Sequence, residues 1–303
     1  MESKKLNVGG QAVIEGVMIR GPSKYVVAVR KNKKIVAKSG IIKEKQHKIL
    51  KWPFIRGFVN LVDMLIIGMK SLIWSAEQSS GDEEIGKHEF AFTIIVSLGV
   101  VVLFFIALPY FLTTLIGVIE EEKPILFNLI DGAIRILIFL AYLIAISFMK
   151  DVIVLFQYHG AEHKAIHCYE HGKELNVKSV KRFTTLHPRC GTSFLLIVFI
   201  VSILVFSILP SLILLRFPDF SGLNAWLRKG ILFPVRVLLI PLIAGISYEI
   251  LKISDRHQKS MLFRLISLPG LWLQKITTKE PSNTQIEVAI ASLRQLLKIE
   301  KLK

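Results

Sequence analysis

Residues Tyr158 to Thr192 read YHGAEHKAIHCYEHGKELNVKSVKRFTTLHPRCGT. The segment holds five of the chain's eight histidines and both of its cysteines. His159, His163 and His167 recur every fourth residue, which stacks them on one face of a helix. Glu170 falls in the same arc and Glu162 just beside it. The run His159-Gly-Ala-Glu162-His163 matches the H-x-x-E-H pattern of inverted zinc-protease motifs. A second small cluster, His187-Pro-Arg-Cys190, follows a basic loop. Histidines four apart on a helix have Cβ atoms about 5–6 Å apart, chelating distance for zinc. A glutamate between them is placed to act as general base on a water activated by the ion. The expectation is a divalent metal site, zinc before other ions. His159, His163, His167, His187 and Cys190 are its ligand candidates, and Glu162 is the candidate catalytic base. The completing ligand is open among His187, Cys190, Glu170 and Glu249. A helix rises roughly 16 Å from His159 to Glu170, so one ion cannot take the whole face, and some of these residues support rather than bind. Gly160, inside the motif, weakens a rigid helix there.

Outward from this segment the chain is apolar. Of its 303 residues 52% are hydrophobic, and long runs carry no charge. Together these exclude an ordinary soluble domain and point to helices that span a bilayer. Phe90–Ile119 is the first such run. A second begins near Ile125, its register ambiguous because Asp131 and Arg135, or Lys150 and Asp151, fall near or inside it. Phe194–Leu215 is the third. Gly230–Leu251 is the fourth, with Pro234 and Pro241 as expected bends. The segment from Trp52 to about Ser79 is long enough to span, but Asp63, Lys70 and Glu77 interrupt it and favour an amphipathic helix at the interface or under the bundle. Ser79–Glu84 reads as a loop.

The fold class expected is therefore mainly α: a helical integral membrane protein with about four transmembrane helices, amphipathic interfacial helices and a small N-terminal β-rich segment. Residues 1–50 form that cytosolic β-rich segment and 51–80 the amphipathic helix. Residues 90–157 carry spans one and two, 158–192 the cytosolic His/Cys-rich site loop, and 193–252 spans three and four. Residues 253–303 form cytosolic amphipathic helices. Within 1–50, Tyr25–Val29 and Ile35–Ala37 read as a hairpin around the polar turn Arg30–Lys34. Gly9–Pro22 holds four glycines in fourteen residues and the polar groups Gln11, Glu15 and Arg20. At the C-terminus, Thr284-Gln-Ile-Glu287 reads as a capping box. It opens a helix with the stripe Ile286, Ile290, Leu293 and Leu297.

The formal charge is +16, concentrated at both ends and in the loop before His187. These basic segments flank the apolar runs, so membrane topology and anionic lipid account for them more cheaply than nucleic acid, which is not expected as a partner. The basic 158–192 segment and both basic termini alternate with the acidic Glu120–Glu122 turn, which places the termini and the site in the cytoplasm. In that compartment Cys168 and Cys190 read as thiols or ligands rather than a disulfide. The start, Met-Glu-Ser-Lys-Lys-Leu-Asn, lacks the apolar core of a cleavable signal peptide.

Four motifs carry a resemblance: GGQAVIEGVMIRGP at 9–22, HGAEHKAIHCYE at 159–170, HPRCGTSFL at 187–195 and TTKEPSNTQIEVAIASL at 277–293. In this order they resemble the YqhQ-like family, bacterial membrane proteins of unknown function described as predicted metal-dependent enzymes. The resemblance covers nearly the whole chain and implies a multi-span protein of the inner membrane; it supplies no substrate. Residues and resemblance together lead to one expectation, a membrane-embedded metal-dependent hydrolase acting on a membrane-protein segment or a lipid. Against it stand a non-enzymatic factor that captures a partner or assists membrane-protein assembly, and transport along Asp131, Arg135, Arg236 and Glu249. A Cys190/His163 nucleophile pair lacks an orienting acid by spacing.

Overall fold

The computed structural model describes residues 5–42, 47–79, 87–118, 122–257 and 260–301. The expected loop at Ser80–Glu84 and part of the acidic turn lie outside these residues.

The N-terminal segment is a four-stranded antiparallel meander, β1 (Gly9–Val13), β2 (Gly16–Arg20), β3 (Lys24–Lys31) and β4 (Lys34–Ile41), in the order β1-β2-β3-β4. The expected hairpin is β3–β4. Lys31 pairs with Lys34, and the two residues between them, Asn32 and Lys33, have φ of 46° and 67°. Two consecutive positive φ values give the primed turn whose twist matches the flanking strands.

The helices are α1 (Ile55–Ser79), α2 (Lys87–Val102), α3 (Leu108–Leu115), α4 (Pro124–Ile146), α5 (Lys150–Glu170), α6 (Val177–Val180), α7 (Gly191–Arg216), α8 (Ala225–Arg256), α9 (Met261–Thr277) and α10 (Asn283–Lys301). A π-helical stretch, Leu103–Ala107, joins α2 to α3. Side chains alternate across the sheet, so each face has its own core. Val17, Ile19, Val26 and Ala28 pack with Tyr158, Ala161 and Ala165 of α5 and with Ile286, Ala289 and Leu293 of α10. Val13, Met18, Val27 and Val29 pack with Ile67 of α1, and Leu72 and Trp74 join them. Both faces being covered explains why β2 and β3 read as β-branched runs rather than alternating polar and apolar.

Among the described residues, five helices are long and apolar enough to cross a membrane by length and composition: Ile55–Ser79, Ile95–Leu115, Pro124–Ile146, Gly191–Arg216 and Gly230–Ser254. Sequence reading expected four and left α1 aside for its charges. The inner face of α1 lies on the sheet through Ile67, Gly68, Ser71 and Ser75. Its other side leaves Leu65, Ile66 and Met69 half or more exposed. The second run resolves at Ile146: the turn Ser147–Met149 separates α4 from α5, so Val152–Phe156 belongs to the site helix. Asp131 and Arg135 pair on α4 at 2.8 Å, as their spacing predicts. Pro234 and Pro241 both lie inside the continuous α8.

The C-terminal capping box is displaced by two residues. Ser282 Oγ accepts from Gln285 N–H (3.3 Å), and Gln285 Oε1 accepts from Ser282 N–H (2.8 Å). Glu287 turns away to pair with Arg30 of β3 at 2.8 Å. At the far end of α10, Glu300 accepts from the N–H of Ser23 (2.9 Å) and of Lys24 (2.8 Å) and from Ser23 Oγ (2.8 Å). These contacts tie the helix to the β2–β3 turn.

Candidate metal centre

Helix α5 positions the site. Its surface is divided: Tyr158, Ala161 and Ala165 face the sheet, Gln157 bonds Gln285 of α10 at 2.9 Å, and the histidines turn the other way. There they meet two segments, the loop 185–190 and the strand-like stretch after α9. Gly160 does not break the helix. It admits the Lys279 carbonyl, which a Cβ would strike, while Lys279 N–H donates to Phe156 O at 2.9 Å. The glycine is thus a close approach, not a hinge.

His159 and His163 share one arrangement. His159 Nδ1 lies 2.8 Å from Thr277 O, and His163 Nδ1 lies 2.5 Å from Thr185 O. A carbonyl only accepts, so each Nδ1 carries the proton and each Nε2 keeps its lone pair. His159 Nε2 is 3.2 Å from Cys190 Sγ, and the His163 ring also hydrogen-bonds that thiol. Donor atoms of His159, His163 and Cys190 lie within 4.8 Å of one another. Cys190 is the N-cap of α7: its Sγ accepts from Thr192 N–H (3.5 Å) and lies 3.2 Å from Thr192 Oγ1. Burial pushes this thiol up, but the hydrogen bond and charge interaction with His163 and the bonds to Thr192 outweigh it, and the thiol sits below its usual pKa. Burial likewise holds His163 down, against its bonds to Cys190 and Thr185.

Glu162 lies beside the cluster with 4% of its surface exposed. Its Oε2 is buried and has no hydrogen-bond partner among the described residues. Its Oε1 would stand 3.0 Å from a Cβ at Gly10, so β1 lies directly on the carboxyl. Burial, first, and the Cys190 thiolate push its pKa up to about 8, with His159 opposing. An orphaned carboxylate oxygen in such a place is costly unless something meets it.

His167, Glu170 and His187 form a second group, also within 4.8 Å. His187 and His163 rings are 5.6 Å apart, so the groups adjoin. Sequence spacing put His167 in line with His159 and His163; the structure gives it to this second group, where its Nε2 donates to Leu186 O at 2.8 Å. His187 Nδ1 accepts from Arg189 N–H (3.2 Å), and its Nε2 donates to Glu170 Oε2 (3.3 Å). Arg189 pairs with the other oxygen of Glu170. A cation therefore already neutralises this carboxylate.

Four other residues fall elsewhere. Glu249, one of the open third-ligand candidates, is bound by Arg56 through two bonds of 2.7 and 2.5 Å at the α1–α8 contact. Cys168 lies in the core beneath α5. Of the N-terminal polar groups, Glu15 accepts from Tyr158 Oη (3.1 Å) and Gln11 bonds Gly68 O (3.2 Å), neither within the cluster.

Sequence reading missed Gln274. It is fully buried and holds the His187 backbone by both groups, accepting from the N–H at 2.7 Å and donating to the C=O at 2.8 Å. The signal was a lone amide in the apolar run of α9. Lys164, 3% exposed, was also missed; it reaches Glu280 (2.5 Å) and Lys181 O (3.1 Å), locking the stretch that offers Thr277 O.

The four sequence motifs thus meet at one place, Gly10 on Glu162, Cys190 on His159, Thr277 behind His159 and Lys164 on Glu280. A mainly helical chain with five apolar helices, a small N-terminal sheet and a buried His/Cys/Glu cluster at their junction is the class so defined. The chain belongs to a family of proteins of unknown function, DUF1385, whose model matches residues 52–299. It is 35% identical over 312 residues to the uncharacterized protein YqhQ of Bacillus subtilis (strain 168), covering 97% of this chain and 93% of that protein. No solved structure matches it.

Proposed function

We propose that this protein is a membrane-embedded hydrolase whose centre is a divalent ion, zinc before others, held by His159, His163 and Cys190. The observation that carries the reading is the pair of backbone carbonyls, Thr277 O and Thr185 O, that fix the proton on each Nδ1. Carbonyls behind metal histidines play this part in metal sites generally, and a Cys/His₂ set that leaves a fourth position open suits a catalytic ion. Such an ion supplies a Lewis acid and a water ionised near neutral pH. Glu162, with its unpartnered Oε2 beside the cluster, would act as base toward such a water and as acid toward the leaving group, the ion's charge opposing the burial that raises its pKa. Gln274 and Arg189 hold the His187–Cys190 loop in register. His167 and His187 support the centre rather than complete it.

Four helical units, α2–α3, α4, α7 and α8, cross the inner membrane. α1 does not, because its inner face is committed to the sheet. α4 ends four residues before α5, and Cys190 directly precedes α7, so the centre lies where the spans leave the bilayer. The basic termini and loop put that face, and both termini, in the cytoplasm. The substrate is a membrane-protein segment or a lipid reaching that face.

Metal content of the purified protein tests the reading. About one zinc or similar ion per chain, absent from the double variant His159→Ala/His163→Ala, supports it. A folded, metal-supplemented preparation with no ion overturns it.

A further inference from the structure

β1 is the outermost strand of the sheet, so only one of its sides is paired. Its hairpin with β2 closes on the Val13–Gly16 pair around the two residues Ile14-Glu15. The closing pair of a two-residue hairpin is hydrogen-bonded, and bonded and non-bonded pairs alternate along an antiparallel ladder. Gly9, Gln11 and Val13 therefore bond β2, while Gly10 and Ala12 turn their N–H and C=O outward. Among the described residues, no hydrogen bond meets those outward groups. Nothing lies within 4 Å of where a side chain at Gly9 would stand. An edge with free backbone groups and little side-chain bulk accepts another extended chain.

The order of neighbours around α5 places this edge at the cluster. α10 covers β2 and β3, whereas α5 packs chiefly on β1. Around α5 come Gln157 against α10, then Glu162 beneath Gly10, then His159 and His163 facing Cys190. The histidine face thus lies on the unpaired side of β1.

We infer that the free edge of β1 docks an extended polypeptide, which adds as a fifth strand and lays one of its peptide bonds over Glu162 and the His159/His163/Cys190 cluster. An added strand runs about 4.8 Å from β1, and Gly10, lacking a side chain, lets the carboxyl of Glu162 reach that edge. A lipid acyl chain has no groups to pair with the outward N–H and C=O of Gly10 and Ala12, so the edge selects a polypeptide. This names the substrate class of the hydrolase proposed above and rests on that reading for the chemistry. Water adds across the amide C–N bond, its hydroxyl going to the carbonyl carbon and its hydrogen to the nitrogen, to leave a carboxylic acid and an amine. Docking itself uses only β1 and needs no ion.

The test uses the full chain in detergent micelles with unfolded, fluorescein-labelled β-casein as probe. Ala12→Pro removes one outward N–H and no ladder bond, a position where an edge strand tolerates proline. Casein binding is expected to slow amide exchange at Gly10 and Ala12 while leaving Gly9, Gln11 and Val13 unchanged. Ala12→Pro is expected to weaken casein about tenfold, the worth of one such bond, with metal content as in the unmodified protein. His159→Ala/His163→Ala is expected to bind casein as the unmodified protein does. Outward amides that exchange equally fast with and without bound casein overturn the inference, even if Ala12→Pro does not fold. So does binding of phosphatidylglycerol vesicles in place of casein. Docking retained by a protein that holds no metal counts against the hydrolase reading alone; metal bound without docking counts against this inference alone.

Discussion

Two groups of three donors adjoin on one face of α5, and they differ in what already occupies their lone pairs. In His159, His163 and Cys190, backbone carbonyls take the imidazole protons on the far side, and the free nitrogens converge on one sulfur. In His167, Glu170 and His187, the carboxylate is shared between Arg189 and the His187 Nε2–H, and His187 Nδ1 is taken by a backbone N–H. Each group has three donors whose ligand atoms lie within 4.8 Å of one another. The surrounding hydrogen bonds prepare one for a cation and fill the other with a cation of its own. A cluster of histidines and carboxylates becomes a metal site only when its neighbours take the protons from the right atoms.

The largest expected effect breaks this contrast outright. Removing His159 and His163 should abolish metal binding, whereas His167→Ala should leave about one ion per chain by mass spectrometry. Equal loss in both variants would make the two groups one site. Next in size, Glu162→Gln should keep the ion but lower hydrolysis of casein or of phospholipid vesicles by about 100- to 10,000-fold. Unchanged rates would remove Glu162 from the chemistry. Arg189→Ala should sharpen the contrast from the other side: with Glu170 no longer neutralised, a second, weaker ion should appear in a zinc titration at neutral pH.

The smallest effect concerns acid stability. Burial, against the bond to Leu186 O, holds His167 down at about 4 from an ordinary 6.5. Between these values the unfolded chain binds the proton and the folded one does not, so stability should fall as pH drops through that window. Thermal midpoints of His167→Gln should be flatter over the same range, and a slope equal to that of the unmodified protein would show that His167 titrates normally.

Some of this was legible in the residues. The hairpin turn at Asn32-Lys33, the Asp131–Arg135 pair and the helix carrying His159 and His163 follow from local spacing. What failed was also local in appearance. Thr284 and Glu287 have the spacing of a capping box, but Ser282 and Gln285 stand two residues earlier, and Arg30 draws Glu287 away. Glu249 looked like a ligand because it ends a span on the site side, yet the Arg56 guanidinium lies closer. In each case a partner far along the chain decided the outcome, and spacing carries no record of such partners.

The sequence by itself determined the local features: apolar runs of spanning length, the β-branched runs of β3 and β4, and the stacking of His159 and His163 one turn apart. These depend on neighbours within four residues, whose geometry the backbone imposes. Only the tertiary structure decided which cysteine joins those histidines, that Thr277 and Thr185 fix their protons, that Arg189 closes the second group, and that Gly10 lies on Glu162. Those contacts join segments as much as 152 residues apart, and their selection rests on packing and on the protonation each buried atom is left with.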